Sequence, residues 1–282
     1  MRQLLCFLLI SFAAVVRGHE GDPGANAFPF KFSDGLLWVE VRVPETDRVL
    51  NFLLDSGAEA SVVDLKTARA LGLNLGTRVA VRGVHVSTEA YWSTTRSAKA
   101  ADVPLPNRFL AMDLTQLSSS CEQHVDGLIG MDFFRNKVVQ LDFKAGEVRL
   151  NAVTKKDVST KAVPLEVRRC GMCIKASIDQ TRPVWFRLDT GCASGLQWVV
   201  GRQIPEGCTS KVAVGLAQLG IPQTKTTVKI GSETLANVET GLHDTPIFEG
   251  ESGLVGNGVL GQFETVTIDA AGGRLLLGPR RP

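Results

Sequence analysis

The sequence lacks most of what makes a function readable at sight. It has no excess of charge of one sign. Arg2 and Arg17 lie in an opening stretch without acids, and setting them aside leaves 29 basic against 29 acidic residues. No lysine- and arginine-rich run occurs, so nothing points to nucleic acid or to an anionic membrane surface. With 44% apolar and 21% charged residues, the composition excludes a collagen, a coiled coil and a disordered tail. The four histidines (His19, His85, His124 and His243) form no cluster of metal spacing. Cys170 and Cys173 make one C-x-x-C within a strand-like run, where residues three apart face opposite sides, and no second pair follows. No metal and no cofactor is expected. The glycine-rich stretches 250–258 and 271–274 have no Walker lysine and read as loops. Serines 118–120 lack a G-x-S-x-G setting, which argues against a serine hydrolase.

The long apolar run comes first. Residues 1–18 carry a basic start, an apolar stretch at 4–16 and a small-residue ending, and read as a secretory signal cleaved before His19. The other reading is an uncleaved anchor, but the run is shorter than the ~20 residues a bilayer span needs. The expectation is an exported protein, periplasmic or secreted, without a membrane segment after cleavage. Export permits disulfides. Five cysteines remain in the mature chain, an odd number whose pairing the sequence leaves open.

What is present is repetition. LNFLLDSG at 50–57 is echoed by VWFRLDTG at 184–191, placing Asp55 and Asp189 134 residues apart. DGLIG at 126–130 is matched to NGVLG at 257–261, and VVQLDFKAGEVRL at 138–150 to TVTIDAAGGRLLL at 265–277. The order is kept while the spacing drifts, as in a two-fold duplication. The expected units are residues 19–157 and 158–282, joined through the polar, aperiodic segment 151–162. Asp142 and Asp269 also recur, and read as turn residues after a strand.

Each half reads as β. Val39, Val41 and Val43 alternate with Glu40 and Arg42, and Ile174, Ala176 and Ile178 alternate with Lys175 and Ser177. Turn-rich PETDR and DQTRP return the chain, so each half opens with a hairpin whose second strand runs into an aspartate. One short helix is expected after Asp64.

An Asp-Ser/Thr-Gly turn at the end of an apolar strand suits a particular chemistry. Glycine lets backbone N–H groups approach a carboxylate, the hydroxyl braces the loop, and the apolar flanks disfavour two neighbouring charges. Two such turns meeting face to face would share one proton. The duplicated motif, each copy followed by an apolar-apolar-Gly, resembles the aspartic peptidases, with retropepsin-like lobes fused in the bilobal manner of pepsin over residues 28–277. That resemblance implies an all-β fold of two homologous lobes related by a pseudo-two-fold axis, with a cleft between them. It implies Asp55 and Asp189 as the catalytic pair, supported by Ser56, Gly57, Thr190 and Gly191. Leu128-Ile129-Gly130 and Val259-Leu260-Gly261 correspond to the strands beneath the active-site loops. A substrate-covering flap is expected at 79–95 with Tyr91 or Trp92 near its tip, and a second flap-like hairpin at 214–229.

Three residues depart from the pattern. Cys192 stands where the first copy has Ala58, and Gly195 where it has Ser61. Arg187 replaces apolar Leu53 and is expected to point to the opposite face from Asp189. The implied function is an exported, monomeric aspartic endopeptidase acting on peptide or protein substrates. The alternative is a peptide-binding protein that keeps the fold without useful turnover. A site formed across a dimer is made unnecessary by the fusion.

Overall fold

The computed structural model describes residues 26–83, 86–95, 97–151, 162–169, 171–201, 209–214 and 217–282. The signal read at 1–18, the boundary read at 157/158 and nearly all of the connection at 151–162 lie outside them.

The alternating sequences fold as hairpins. The Leu36–Val43 strand pairs antiparallel with Thr46–Leu54; its Val39, Val41 and Val43 are buried and its Glu40 and Arg42 exposed. Gly171–Ile178 pairs in the same way with Val184–Leu188, burying Ile174, Ala176 and Ile178 and exposing Lys175. Asp64 caps the Leu65–Ala70 helix by accepting from the Lys66 and Thr67 amides.

Each hairpin's second strand lies beside a short parallel strand. Gly127–Ile129 flanks the strand ending at Leu54, and Gly253–Val255 flanks the strand ending at Leu188. The order of pairing outward from the first hairpin runs through Gly127–Ile129, Val62–Asp64, Arg108–Met112, Val86–Thr94 and Arg78–Gly83. From the second hairpin the order runs through Gly253–Val255, Leu196–Val199, Glu233–His243, Ala217–Ile230 and Thr209–Val214. The parallel and antiparallel senses agree step by step.

This register corrects the sequence match at the second glycine motif. Val259 and Leu260 lie in the short helix Asn257–Leu260, not in a strand. The strand is Gly253–Val255, so the true counterpart of DGLIG at 126–130 is SGLVG at 252–256. Both motifs are small-apolar-apolar-Gly, and only the pairing partner distinguishes them.

A layer shared by both parts of the chain joins them. Val138–Asp142 pairs antiparallel with Thr265–Asp269, and Glu147–Leu150, Ala27–Pro29, Arg274–Leu277 and Val163–Arg168 extend the layer on either side. The turn reading of Asp142 and Asp269 agrees with their bonds: Asp142 accepts from the Lys144 and Ala145 amides, Asp269 from the Gly272 amide and Arg274. One continuous apolar core, including Phe28, Phe133, Leu141, Phe186 and Val266, runs through the layer into the sheets that carry both aspartate strands. Burial on that scale, at about 25 cal/mol per Å² of apolar surface, is what holds the two aspartate strands in fixed relation.

Candidate active site

The two aspartate turns meet. Asp55 leaves its strand with its amide donating to Ile129 O at 2.9 Å, and Asp189 with its amide donating to Val255 O at 3.0 Å. Below the carboxyls, Ser56 N donates to Thr190 Oγ1 (2.9 Å) and Thr190 N to Ser56 Oγ (3.1 Å). Each hydroxyl then donates across to the other strand: Ser56 Oγ to Leu188 O (2.9 Å) and Thr190 Oγ1 to Leu54 O (2.8 Å). Ser56 and Thr190 are fully buried, so these four bonds form where water does not compete.

The glycines set the approach. A Cβ on Gly57 would lie 2.5 Å from Asp189 Cγ, and one on Gly191 2.5 Å from Asp55 Cγ. Each carboxyl therefore rests against the opposite turn, near enough for the negative charge of Asp55 to act on Asp189. Gly57→Ala is expected to push the dyad apart. Its cost is the overpacking range of about 1–3 kcal/mol, with activity falling further than stability. Thermal melts and peptide-cleavage assays on the purified variant measure the two effects separately.

The dyad is asymmetric. Asp55 Oδ1 accepts from the amides of Gly57 and Ala58, both at 3.0 Å, and Asp189 Oδ1 accepts from Gly191 N at 2.9 Å. Both aspartates are partly exposed. Burial raises the pKa of Asp55, opposed by the two amides, the neighbouring Asp189 carboxyl and the charge of Arg187. Burial raises Asp189 to about 8, helped by the negative charge of Asp55 and opposed by Arg187 and the Gly191 amide. With two amides on its Oδ1 against one, Asp55 has the better stabilised carboxylate of the two.

Two of the three departures are local. Cys192 is a free, buried thiol with Sγ 3.1 Å from Ser194 Oγ; burial, then the nearby Asp189, push it up to about 12, so it stays neutral. Gly195 packs against Gly258: a Cβ on Gly258 would lie 2.7 Å from Gly195 N. At the corresponding place in the first half, Ser61 donates to Asp132 (2.7 Å) and accepts from Gly130 N (3.0 Å). A braced Ser–Asp pair on one side is thus a bare Gly–Gly contact on the other.

The expectation for Arg187 is overturned. Residues two apart on a strand share a face. Arg187 is 4% exposed and turns toward the dyad, with Nη1 donating to Gly57 O at 3.0 Å. Its Nε and Nη2 form a fork onto Glu251 at 2.9 and 2.8 Å. Sequence reasoning missed Glu251 entirely, and also Asn257, whose Nδ2 donates to Gly35 O and Thr190 O, both at 2.7 Å. The available signal was a lone arginine in an apolar strand, which demands a buried acid.

The segment expected as a flap folds as a hairpin, but Tyr91 and Trp92 are not at its tip. Arg78 pairs with Tyr91 and Gly83 with Val86, so the reversal falls between Gly83 and Val86. Tyr91 packs on the main core. Trp92 packs on the cluster containing Trp38 and Leu53, with the Arg108 guanidinium 3.8 Å over its ring. Both are partly buried because the hairpin's base, not its end, lies against the apolar clusters. The second hairpin spans Thr209–Val214 and Ala217–Ile230, starting earlier than the expected 214–229. Among the described residues, no three His, Cys, Asp or Glu side chains converge as a metal-holding group.

Residues 39–133 match the family model described as Aspartyl protease. That segment carries the Asp55 turn, the 78–94 hairpin and the strand at 127–129. Asp189 lies outside the matched range. The match supports a peptidase-type hydrolase. No curated protein matches the chain.

Proposed function

We propose that this chain is an exported aspartic endopeptidase in which two duplicated lobes, each carrying one aspartate, form a single site. The observation that supports the reading is that the Asp55 and Asp189 carboxyls each rest on the other's turn glycine, over a reciprocal set of hydroxyl bonds. The aspartyl-protease match around Asp55 and the repeated strand order around Asp189 support it. Export rests on the leader at 1–18, and a monomer on both turns lying in one chain.

In this reading Asp55 removes a proton from a water held between the carboxyls while the water oxygen bonds to the scissile carbonyl carbon. Asp189 donates its proton to the carbonyl oxygen, so the tetrahedral intermediate forms without a free oxyanion. Asp55 then passes its proton to the amide nitrogen as the C–N bond breaks. Asp189 regains a proton from one of the intermediate's hydroxyls as the new carboxylic acid leaves. An extended peptide fits between the 78–94 hairpin and the dyad as an added strand, bound through its backbone.

The test is cleavage of a peptide library with apolar residues flanking the cut, and inhibition by a statine-type mimic of the tetrahedral intermediate. Cleavage blocked by the statine is expected, with kcat/KM declining towards and above about pH 8 as Asp189 loses its proton. Statine-insensitive binding of peptides without cleavage at acid or neutral pH would leave only a binding protein.

A further inference from the structure

We infer that Arg187 is a positioning residue for the dyad: clamped by Glu251, it ties the Asp55 turn to the opposite half and sets a fixed positive charge beside the pair. The inference rests on the hydrolase reading above and assigns a role to a side chain that this reading does not use.

The geometry is specific. Arg187 stands on the strand that ends at Asp189, yet its Nη1 bonds the carbonyl of Gly57, in the other turn. Gly57 is the residue whose amide holds Asp55 Oδ1 and whose Cα faces Asp189. One guanidinium thus acts on both halves of the dyad through a single residue.

The support around it is built. The fork to Glu251 fixes the plane of the guanidinium, and its carbon lies 3.6 Å over the Phe248 ring. Gly171, on the neighbouring strand, makes room: a Cβ there would lie 2.5 Å from Arg187 Nε. Arg187 and Glu251 are 4% and 7% exposed. A buried ion pair of this kind gives little net stability compared with a well-packed apolar pair, so stability alone does not account for it. At the corresponding place in the first half, Leu53 packs among Trp38, Val62 and Leu128.

The charged and titratable groups facing this guanidinium are Glu251, Asp189, Asp55 and the Cys173 thiol, with Arg168, Arg169 and Glu249 farther out. Glu251 neutralises part of the arginine's field but sits on the side away from Gly57. The remaining influence on both aspartates opposes the effect of burial.

Removing Arg187 alone strands Glu251 as a buried charge, and that variant is expected to fold poorly. The informative variants are Arg187→Met with Glu251→Gln, and Arg187→Lys. They are compared by kcat and KM across pH and by ¹³C titration of the aspartate carboxyls. In the double variant kcat is expected to fall about tenfold or more with KM little changed. Its alkaline limb and carboxyl titration are expected to move up by about one pH unit or more. Arg187→Lys keeps the charge but cannot hold the fork and the Gly57 bond together, so kcat falls while the limb stays. A folded double variant with parental kcat and an unmoved carboxyl titration overturns the inference, as does one that differs only in melting temperature. A limb that moves equally in Arg187→Lys overturns the charge role. If the parent itself cleaves nothing, the hydrolase reading fails, and the carboxyl titration still decides for or against Arg187.

Discussion

Asp55→Asn and Asp189→Asn are each expected to reduce peptide cleavage by about 10²–10⁴-fold or more, because under the proposed mechanism each removes one end of the proton path. The same changes are expected to leave the fold intact or firmer. Asp189 has its pKa raised from 3.8 to about 8, mainly by burial and then by Asp55. A carboxyl whose folded pKa lies above its unfolded one binds protons more tightly in the native state. Its contribution to stability is fully present below about 3.8 and is lost as pH rises through about 8. An asparagine in its place carries no charge in either state over that range, so it loses nothing as the pH rises. The melting temperature of Asp189→Asn should therefore gain on the parent steadily between those pH values. Loss of activity together with this pH-dependent gain marks a functional acid held at a structural cost. An Asp189→Asn protein that still cleaves at near-parental rate removes the composite site from consideration.

Thr190→Val is the second large effect. Valine matches threonine in shape, so packing is kept and only the hydroxyl is lost. That hydroxyl accepts from Ser56 N and donates to Leu54 O, and both partners lie in the fully buried base of the site. Leaving an amide and a carbonyl unpaired costs about 1–3 kcal/mol each, so about 2–6 kcal/mol in total. Denaturant melts measure that loss, and Thr190→Ser, which keeps the oxygen, should recover most of it. Activity should fall as well, because the bonds that break are the ones holding Asp55 and Asp189 in register. A Thr190→Val protein with parental stability would mean that the four-bond base is not what fixes the turns.

Much of this was legible from period-two alternation. Val39, Val41 and Val43 face the core as their spacing requires, and the hairpins run into Asp55 and Asp189 where the turn-rich pentapeptides direct them. The Asp64 cap was legible too, because a carboxylate before LKTARA has two free amides to satisfy. What failed was discrimination between local patterns of equal quality. GLVG and GVLG differ by a transposition, and only the parallel pairing of Gly253–Val255 with Val184–Leu188 separates them. The position of Trp92 failed for a similar reason: the sequence marks a hairpin but not where the chain reverses. Glu251 and Asn257 were invisible because their partners, Arg187 and Gly35, lie 64 and 222 residues away.

The layer that joins the halves has a consequence for how the molecule is made. Val138–Asp142 finds its partner in Thr265–Asp269, a strand synthesised long after it. Until that strand emerges, the earlier one keeps an open hydrogen-bonding edge, the kind of edge on which unfinished chains aggregate. The sheet can therefore close only after residues 265–269 have been made, and a product shortened ahead of residue 265 would be left sticky.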